Sequence, residues 1–450
     1  MRYIPVTSAD REEMLKKIGI HFIDQLFDMP TDMLTHLSKP LNLPAPLPEM
    51  EVMALMEKFA KEGEIAASKT SFLGGGINRH YLPATISALI SRGEFLTAYT
   101  PYQPEASQGT LQALYEFQTY IALLSGMDVA NASLYDGATA TAEAVLMAKR
   151  INKKGKTVYV SCALHPHYRE VLRTYLQDVD IPIVELAFDA KTGKTILAPT
   201  MMNDALALVV GYPNYFGIIE DLKEAREVAT KVGALLISVT TEALSLAILK
   251  PPGEFGVDIF VGEGQSFGLP PSFGGPLLGL IATKDAYVRN LPGRLIGRGK
   301  DKNGKDAFVI VIATREQHIK REKATSNICT NEALCATIAG MYLTAYGKTG
   351  LANLAKQNAV KAFRLREKLA KIPGVSIPFS GATFNEFVIR TKKSGAQLLR
   401  NLLAGRQIFG GINLSVHYHK NPKDILVSVT EMNTDEDMDK FVHALREILK

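Results

Sequence analysis

A chain of 450 residues, 46% hydrophobic and 22% charged, has the length for a large core divided between two domains. No apolar run approaches the roughly 20 residues of a membrane-spanning helix, and the opening MRYIPVTSADREEM lacks a secretory signal pattern, so no membrane association and a cytoplasmic location are expected. The net charge is only +5, and three cysteines, Cys162, Cys329 and Cys335, lack metal-type spacing, which argues for reduced, packed thiols.

In chain order, Asp10 is placed to cap a helix over REEMLKKIGI, and Thr31 to cap a second that ends before Pro40. Prolines at 40, 44, 46 and 48 then favour an extended segment, either a linker or an arm across another surface. Residues 1–68 are therefore expected to form an N-terminal helical and proline-rich arm.

From 69 to 347 apolar runs alternate with helical periodicity. Strands are predicted at Thr157–Ser161, Ile183–Leu186, Leu206–Val210, Ala234–Val239, Val257–Val261 and Leu277–Ile281, with helices at Ala138–Asn152, His167–Leu176 and Asp221–Val232. This order builds βαβ units into a mostly parallel sheet that binds ligands beyond the carboxyl ends of its strands. After 347 come a helix of about twenty residues, strand-like EFVIR, helical GAQLLRNLLA, strand-like DILVSV and a last helix begun by Thr434. Residues 348–450 thus read as a small α+β domain packed on the large one.

The segment YTPYQPEASQG carries Tyr99, Tyr102, Gln103, Glu105, Ser107 and Gln108, a set able to line a small polar ligand, although Pro101 and Pro104 equally suit a plain turn. Downstream, Ser133, Asp136 and Gly137 precede small hydroxyl residues at a helix start, where free N–H groups anchor phosphates or where the side chains merely cap the helix.

The richest stretch runs from Gly253 to Lys284, GEFGVDIFVGEGQSFGLPPSFGGPLLGLIATK. A short buried strand empties into a Gly/Pro-rich loop, and a second apolar run leaves it. Enzymes that use pyridoxal phosphate have this layout, with a lysine just past the strand to form the imine and an acid near a neighbouring strand end to pair with the pyridine nitrogen. Here the loop offers Gln265, Ser266 and Phe267, none of which forms an imine, while Lys250 and Lys284 lie outside it. The neighbouring strand ends in Thr240, Thr241 and Glu242 with no aspartate, so Glu242 is the only acid near the pyridine position. The reading is a cofactor-enzyme scaffold that does not hold the cofactor covalently. GEGQSFG misses the glycine spacing of a dinucleotide loop. His165, His167 and His318 are the histidines expected to face the cleft, and none has partners at metal spacing.

Between Lys284 and Lys323 there are 11 basic and 5 acidic residues. Arg294, Arg298, Arg315 and His318 are the candidate contacts there for an anionic group or an acidic partner, with a solvated loop and helix face as the plainer reading. Interleaved aromatics and any nucleic-acid motif are lacking, so nucleic acid is not expected as a ligand.

Taken together, YTPYQPEASQGTLQALYEFQT, DVANASLYDGATATAEA, GYPNYFG, PPGEFGVDI and TREQHIKREKATSNICTNEAL resemble the glycine-cleavage P-protein family from end to end. The chain is similar to the first of the two shorter subunits in the split form of that family. The resemblance implies the aspartate-aminotransferase-like fold (fold type I of the pyridoxal-phosphate transferases), α/β with a large, mostly parallel sheet. The family's cofactor-binding half carries His-Lys-Thr where Gln265 and Ser266 stand here, and which of the two faces the missing lysine is open at this stage. The resemblance further implies that pyridoxal phosphate sits in a partner subunit 2 of an α2β2 assembly, that the pair decarboxylates glycine, and that the aminomethyl group passes to lipoylated H-protein. No catalytic residue is then expected in this chain alone. Two rivals are an autonomous pyridoxal-phosphate enzyme, which lacks its lysine, and a free-standing binding or regulatory protein on the same scaffold.

Overall fold

The computed structural model describes residues 6–27, 42–67, 69–418 and 421–450, so the helix assigned to Thr31 lies outside them. The chain divides into two compact units, Met1–Ser68 and Lys69–Lys450.

The first unit contains α1, Ser8–Ile18, and α2, Glu49–Ala67, with no regular structure over residues 42–48. The α1 cap is Thr7 rather than Asp10: the Thr7 hydroxyl accepts from the Asp10 amide, and the Asp10 carboxylate accepts from the Thr7 amide. This reciprocal box satisfies two otherwise orphaned donors, so the helix starts earlier than a cap at Asp10 allows. None of the unit's described side chains is buried.

The second unit is built on a seven-stranded sheet. Its strands are β1 (Val129–Ala130), β2 (Thr157–Ser161), β3 (Ile183–Leu186), β4 (Ala205–Gly211), β5 (Leu235–Thr240), β6 (Ile259–Glu263) and β7 (Gly279–Thr283), in the spatial order β1-β7-β6-β5-β4-β2-β3. β2 to β6 pair in parallel and β7 runs antiparallel to β6. Burial of the inner parallel strands on both faces explains runs such as ALALVVG in β4, every residue of which is buried, whereas the edge strand β3 exposes Val184 and Glu185. Helices cover the faces: α3 (Gln108–Ser125), α4 (Gly137–Ile151), α5 (Pro166–Leu176) and α6 (Leu222–Val232). Leu172 of α5 joins Val158, Val160, Ile237 and Val261 in one core, while Ala225 and Val228 of α6 join Leu208 and Leu236 in another.

β6 begins two residues later than predicted. The Asp258 carboxylate ahead of it accepts from the Leu236 amide and pairs with Arg226 and Lys284, a polar clamp at the strand's entrance. Within the basic stretch, residues 295–311 form a hairpin, β8 (Leu295–Lys300) and β9 (Asp306–Val311), that the sequence reading did not include, while short, mostly exposed helical turns follow over residues 317–323.

α7, Ala333–Ala370, continues through residue 347 with a kink at Gly347, whose φ of 59° and ψ of 178° suit glycine. Beyond it lies a four-stranded antiparallel sheet of β10 (Val375–Ser376), β11 (Glu386–Thr391), β12 (Ile412–Asn413) and β13 (Asp424–Ser428), in the order β10-β11-β13-β12. α8 (Gly395–Arg406) and α9 (Asp435–Leu449) pack on it, α9 started by the predicted Thr434 cap.

Candidate functional site

The carboxyl ends of β5 and β6 lie side by side, with Thr240 in register with Gly262. In open α/β sheets this edge is where ligands bind. A backbone segment with no counterpart among the predicted site residues, Gly74–His80, lies against it.

Gln265, just past β6, is buried and fully engaged. Its Oε1 accepts from the Asn78 amide at 2.9 Å, and its Nε2 donates to the Asn78 carbonyl at 3.0 Å and the Leu269 carbonyl at 2.5 Å. The side chain therefore acts like one rung of a sheet against Asn78. Ser266 is also buried, and its hydroxyl has no hydrogen-bond partner among the described residues.

The rest of the segment is held as firmly. Gly75 donates its amide to Glu386 Oε1 at 2.7 Å, and its carbonyl lies 2.7 Å from His165 Nε2. His165 Nδ1 accepts from the His167 amide at 3.2 Å, so Nε2 carries the ring hydrogen. Burial pushes the His165 pKa down to about 4, consistent with a neutral ring. Gly76, at φ 97°, passes so near that ring that a Cβ there would stand 3.4 Å from it. The Asn78 side chain accepts from the Ser428 hydroxyl at 2.8 Å.

His80 ends the segment between two carboxylates, with Nε2 3.1 Å from Glu242 and Nδ1 3.0 Å from Glu431. Burial works against charge on the ring, but the Glu242 and Glu431 carboxylates overcome it and lift its pKa to about 10. Glu242 also accepts from the Leu244 amide, and Glu431 from the Tyr81 amide. A shallow cleft of about 450 Å3, lined in part by Tyr81, Tyr346, Gln357, Glu431 and Met432, opens beside this cluster.

The start of α4, the predicted phosphate anchor, is taken as well. Asp136 caps it through the Thr139 amide, and the Gly137 amide donates to Glu263 Oε2 at 3.0 Å. Glu263 Oε1 accepts from the amides of Gln265 and Leu278 at 3.1 and 2.8 Å. Burial raises the Glu263 pKa to about 8 against the pull of these donors. The Tyr168 hydroxyl covers Gly137 so closely that a Cβ there would come within 2.2 Å of it.

A second group gathers around Arg294, which is buried rather than presented to an outside partner. Its guanidinium donates to the Tyr102 hydroxyl at 2.9 Å, to the Thr100 hydroxyl at 3.2 Å, and to Glu316 at 3.5 Å. His318 is exposed and stands edge-on to Tyr102, ring centroids 6.0 Å apart. Tyr99, Gln103 and Glu105 are exposed, Tyr99 at 76%. Ser107 precedes α3 without a side-chain cap bond, and Gln108 is a brace, bonded to the Pro104 carbonyl and to both backbone groups of Phe308. Arg315 donates to the carbonyls of Gly293 and Ile312. Arg298 is exposed and, with Lys300, pairs with Asp306 across the hairpin. Cys329 is exposed rather than packed.

The structure thus brings Tyr102, Arg294 and His318 together and places Gln265 and Ser266 in a separate, filled cleft. Asn78, His80, Glu386 and Glu431 were not among the predicted residues; the run GGGINRH, three glycines before polar side chains, was the available signal. Pyridoxal phosphate needs an open N–H array, an amine and an unclaimed acid. Here Glu263 and Asp136 take the Gly137 and Thr139 amides, Tyr168 stands over Gly137, Gln265 is locked to Asn78, and Glu242 is held by His80, so these residues do not fit the cofactor.

The family model for the glycine cleavage system P-protein matches residues 1–445. The chain belongs to this family. A "Probable glycine dehydrogenase (decarboxylating) subunit 1" from Rhodospirillum centenum is 47% identical over 459 residues, and one from Moorella thermoacetica is 46% identical over 451, each covering 100% of both chains. A crystal structure of glycine decarboxylase (P-protein) of the glycine cleavage system, in inhibitor-bound form, is 43% identical and superposes with a TM-score of 0.87 over 100% of both chains. Burkholderia pseudomallei sphingosine-1-phosphate lyase, at 13% identity, 93% coverage of this chain, 94% of its own and a TM-score of 0.66, shares the fold alone. These relations agree with the fold type I architecture, and the P-protein family chain corresponds in full length to subunit 1 of the split form.

Proposed function

We propose that this chain is the cofactor-free subunit of a two-subunit glycine decarboxylase. The end-to-end correspondence with subunit 1 proteins carries the reading. Pyridoxal phosphate is then held by subunit 2 in an α2β2 assembly, which decarboxylates glycine and transfers the aminomethyl group to lipoylated H-protein in the cytoplasm. The locked Gln265 supports this division of labour, because an amide bonded on both edges offers no amine to an aldehyde. Tyr99, Tyr102, Gln103 and Glu105 supply wall to the shared pocket, and the exposed Arg298 and His318 offer contacts to an acidic carrier.

Reconstitution tests the reading. Neither purified subunit alone should exchange labelled bicarbonate with the glycine carboxyl group, and the mixture should. Exchange by the isolated chain at the rate of the mixture would overturn it. A chain that never co-purifies with subunit 2 would favour the free-standing alternative.

A further inference from the structure

We propose that the cofactor cleft of this chain is sealed from within, so that the missing lysine is only one of several barriers and its restoration does not restore cofactor binding. The seal is the chain's own Gly74–His80 segment together with the Glu263 carboxyl group. Three separate places are closed. At the start of α4, Glu263 takes the Gly137 amide while Tyr168 covers the same residue. Past β6, both edges of the Gln265 amide are spent on the Asn78 backbone. Beyond β5, the Glu242 carboxylate is spent on His80 and the Leu244 amide.

The segment is also anchored from the opposite side. Glu386 at the start of β11 holds the Gly75 amide, Ser428 at the end of β13 holds the Asn78 side chain, and Glu431 holds His80. At Gly74 a Cβ would lie 2.2 Å from Glu386 Oε1 and 2.4 Å from the Ser428 Cβ, so the segment is pressed against this flank as closely as only a glycine allows. Opening the cleft means breaking buried polar bonds on both flanks together, since each group left behind is stranded away from water.

Two measurements test the seal. The first uses Gln265→Lys and Ser266→Lys chains that still assemble with subunit 2; incubated with pyridoxal phosphate and borohydride, neither should yield a pyridoxyl-lysine peptide at 265 or 266. A stoichiometric adduct in either would overturn the seal while leaving the subunit reading intact, because that reading rests on assembly and exchange. The second uses the unaltered chain, which removes any doubt about folding. In hydrogen exchange the peptide spanning Gly74–His80 should be protected as long as the β5 and β6 peptides, with or without pyridoxal phosphate. Exchange at the rate of an exposed loop, or a change on adding the cofactor, would overturn it.

Discussion

His80 Nε2 lies 3.1 Å from Glu242 Oε2, joining the segment after Phe72 to the end of β5 through a buried charge. The ring's other nitrogen reaches Glu431, so removing the imidazole leaves two buried carboxylates facing each other. His80→Leu is expected to destabilise the chain by about 3–5 kcal/mol, read from denaturant unfolding.

The same cluster fixes a pH dependence. The folded His80 pKa, about 10, lies above the ordinary value of 6.5, so its contribution is complete below about 6.5 and is lost as pH rises through 10. Glu431, for which burial is outweighed by His80, is held below the usual value, so its share is lost in acid. Melting temperature should fall between pH 7 and 10, and the fall should be shallower in His80→Gln. Parallel alkaline slopes in the two proteins would refute the assignment.

Glu263 adds a second loss of stability with rising pH, at lower pH than that of His80. Its pKa is raised to about 8, so its folded form holds a proton that the unfolded chain has released, and stability is lost as pH rises from 4.5 to 8. Glu263→Gln should flatten that window while costing about 1–3 kcal/mol overall, because an amide N–H then faces the N–H of Gly137.

Arg294 and Arg298 should behave in opposite ways despite standing four residues apart. Arg294→Met leaves Glu316 buried beside an apolar stem and is expected to cost about 3 kcal/mol. Arg298→Ala, exposed and screened, should leave the melting temperature unchanged.

If the tyrosine loop lines the shared pocket, Tyr102→Phe should slow the assembled enzyme. The hydroxyl accepts from Arg294, which leaves its own hydrogen to donate outward, and losing a charge-linked hydrogen bond of about 1.5–3 kcal/mol corresponds to roughly ten- to hundredfold in rate. Steady-state kinetics with subunit assembly monitored in parallel would decide it; an unaltered rate would make the loop a structural turn.

Much of the large sheet was legible because its strands are short apolar runs between turn residues: TVYVS and IVEL were bounded to the residue, as β2 and β3. Pairing direction was less so, and β7 runs antiparallel to β6 although it reads like its parallel neighbours. The hairpin at Leu295–Val311 escaped because its strands alternate weakly and carry the charges that suggested a loop. The missing lysine was visible, since one residue type decides imine chemistry. The seal was not, because Gln265 bonds Asn78 across 187 positions and Asn78 reaches Ser428 across 350, and pattern within a window carries no information at that separation.

The kinked helix α7 sets how the protein can be divided. Its early residues, Cys335 to Leu354, lie in the core under α3, while Ala362, Leu365 and Leu369 lie in the core of the four-stranded sheet. Cutting at Gly347 would strip one rod of half its neighbours and leave both fragments with a greasy, unfilled trough. The chain bends at that glycine but has no seam there, and truncation at 347 is expected to give insoluble pieces, read from the soluble fraction after expression of each half.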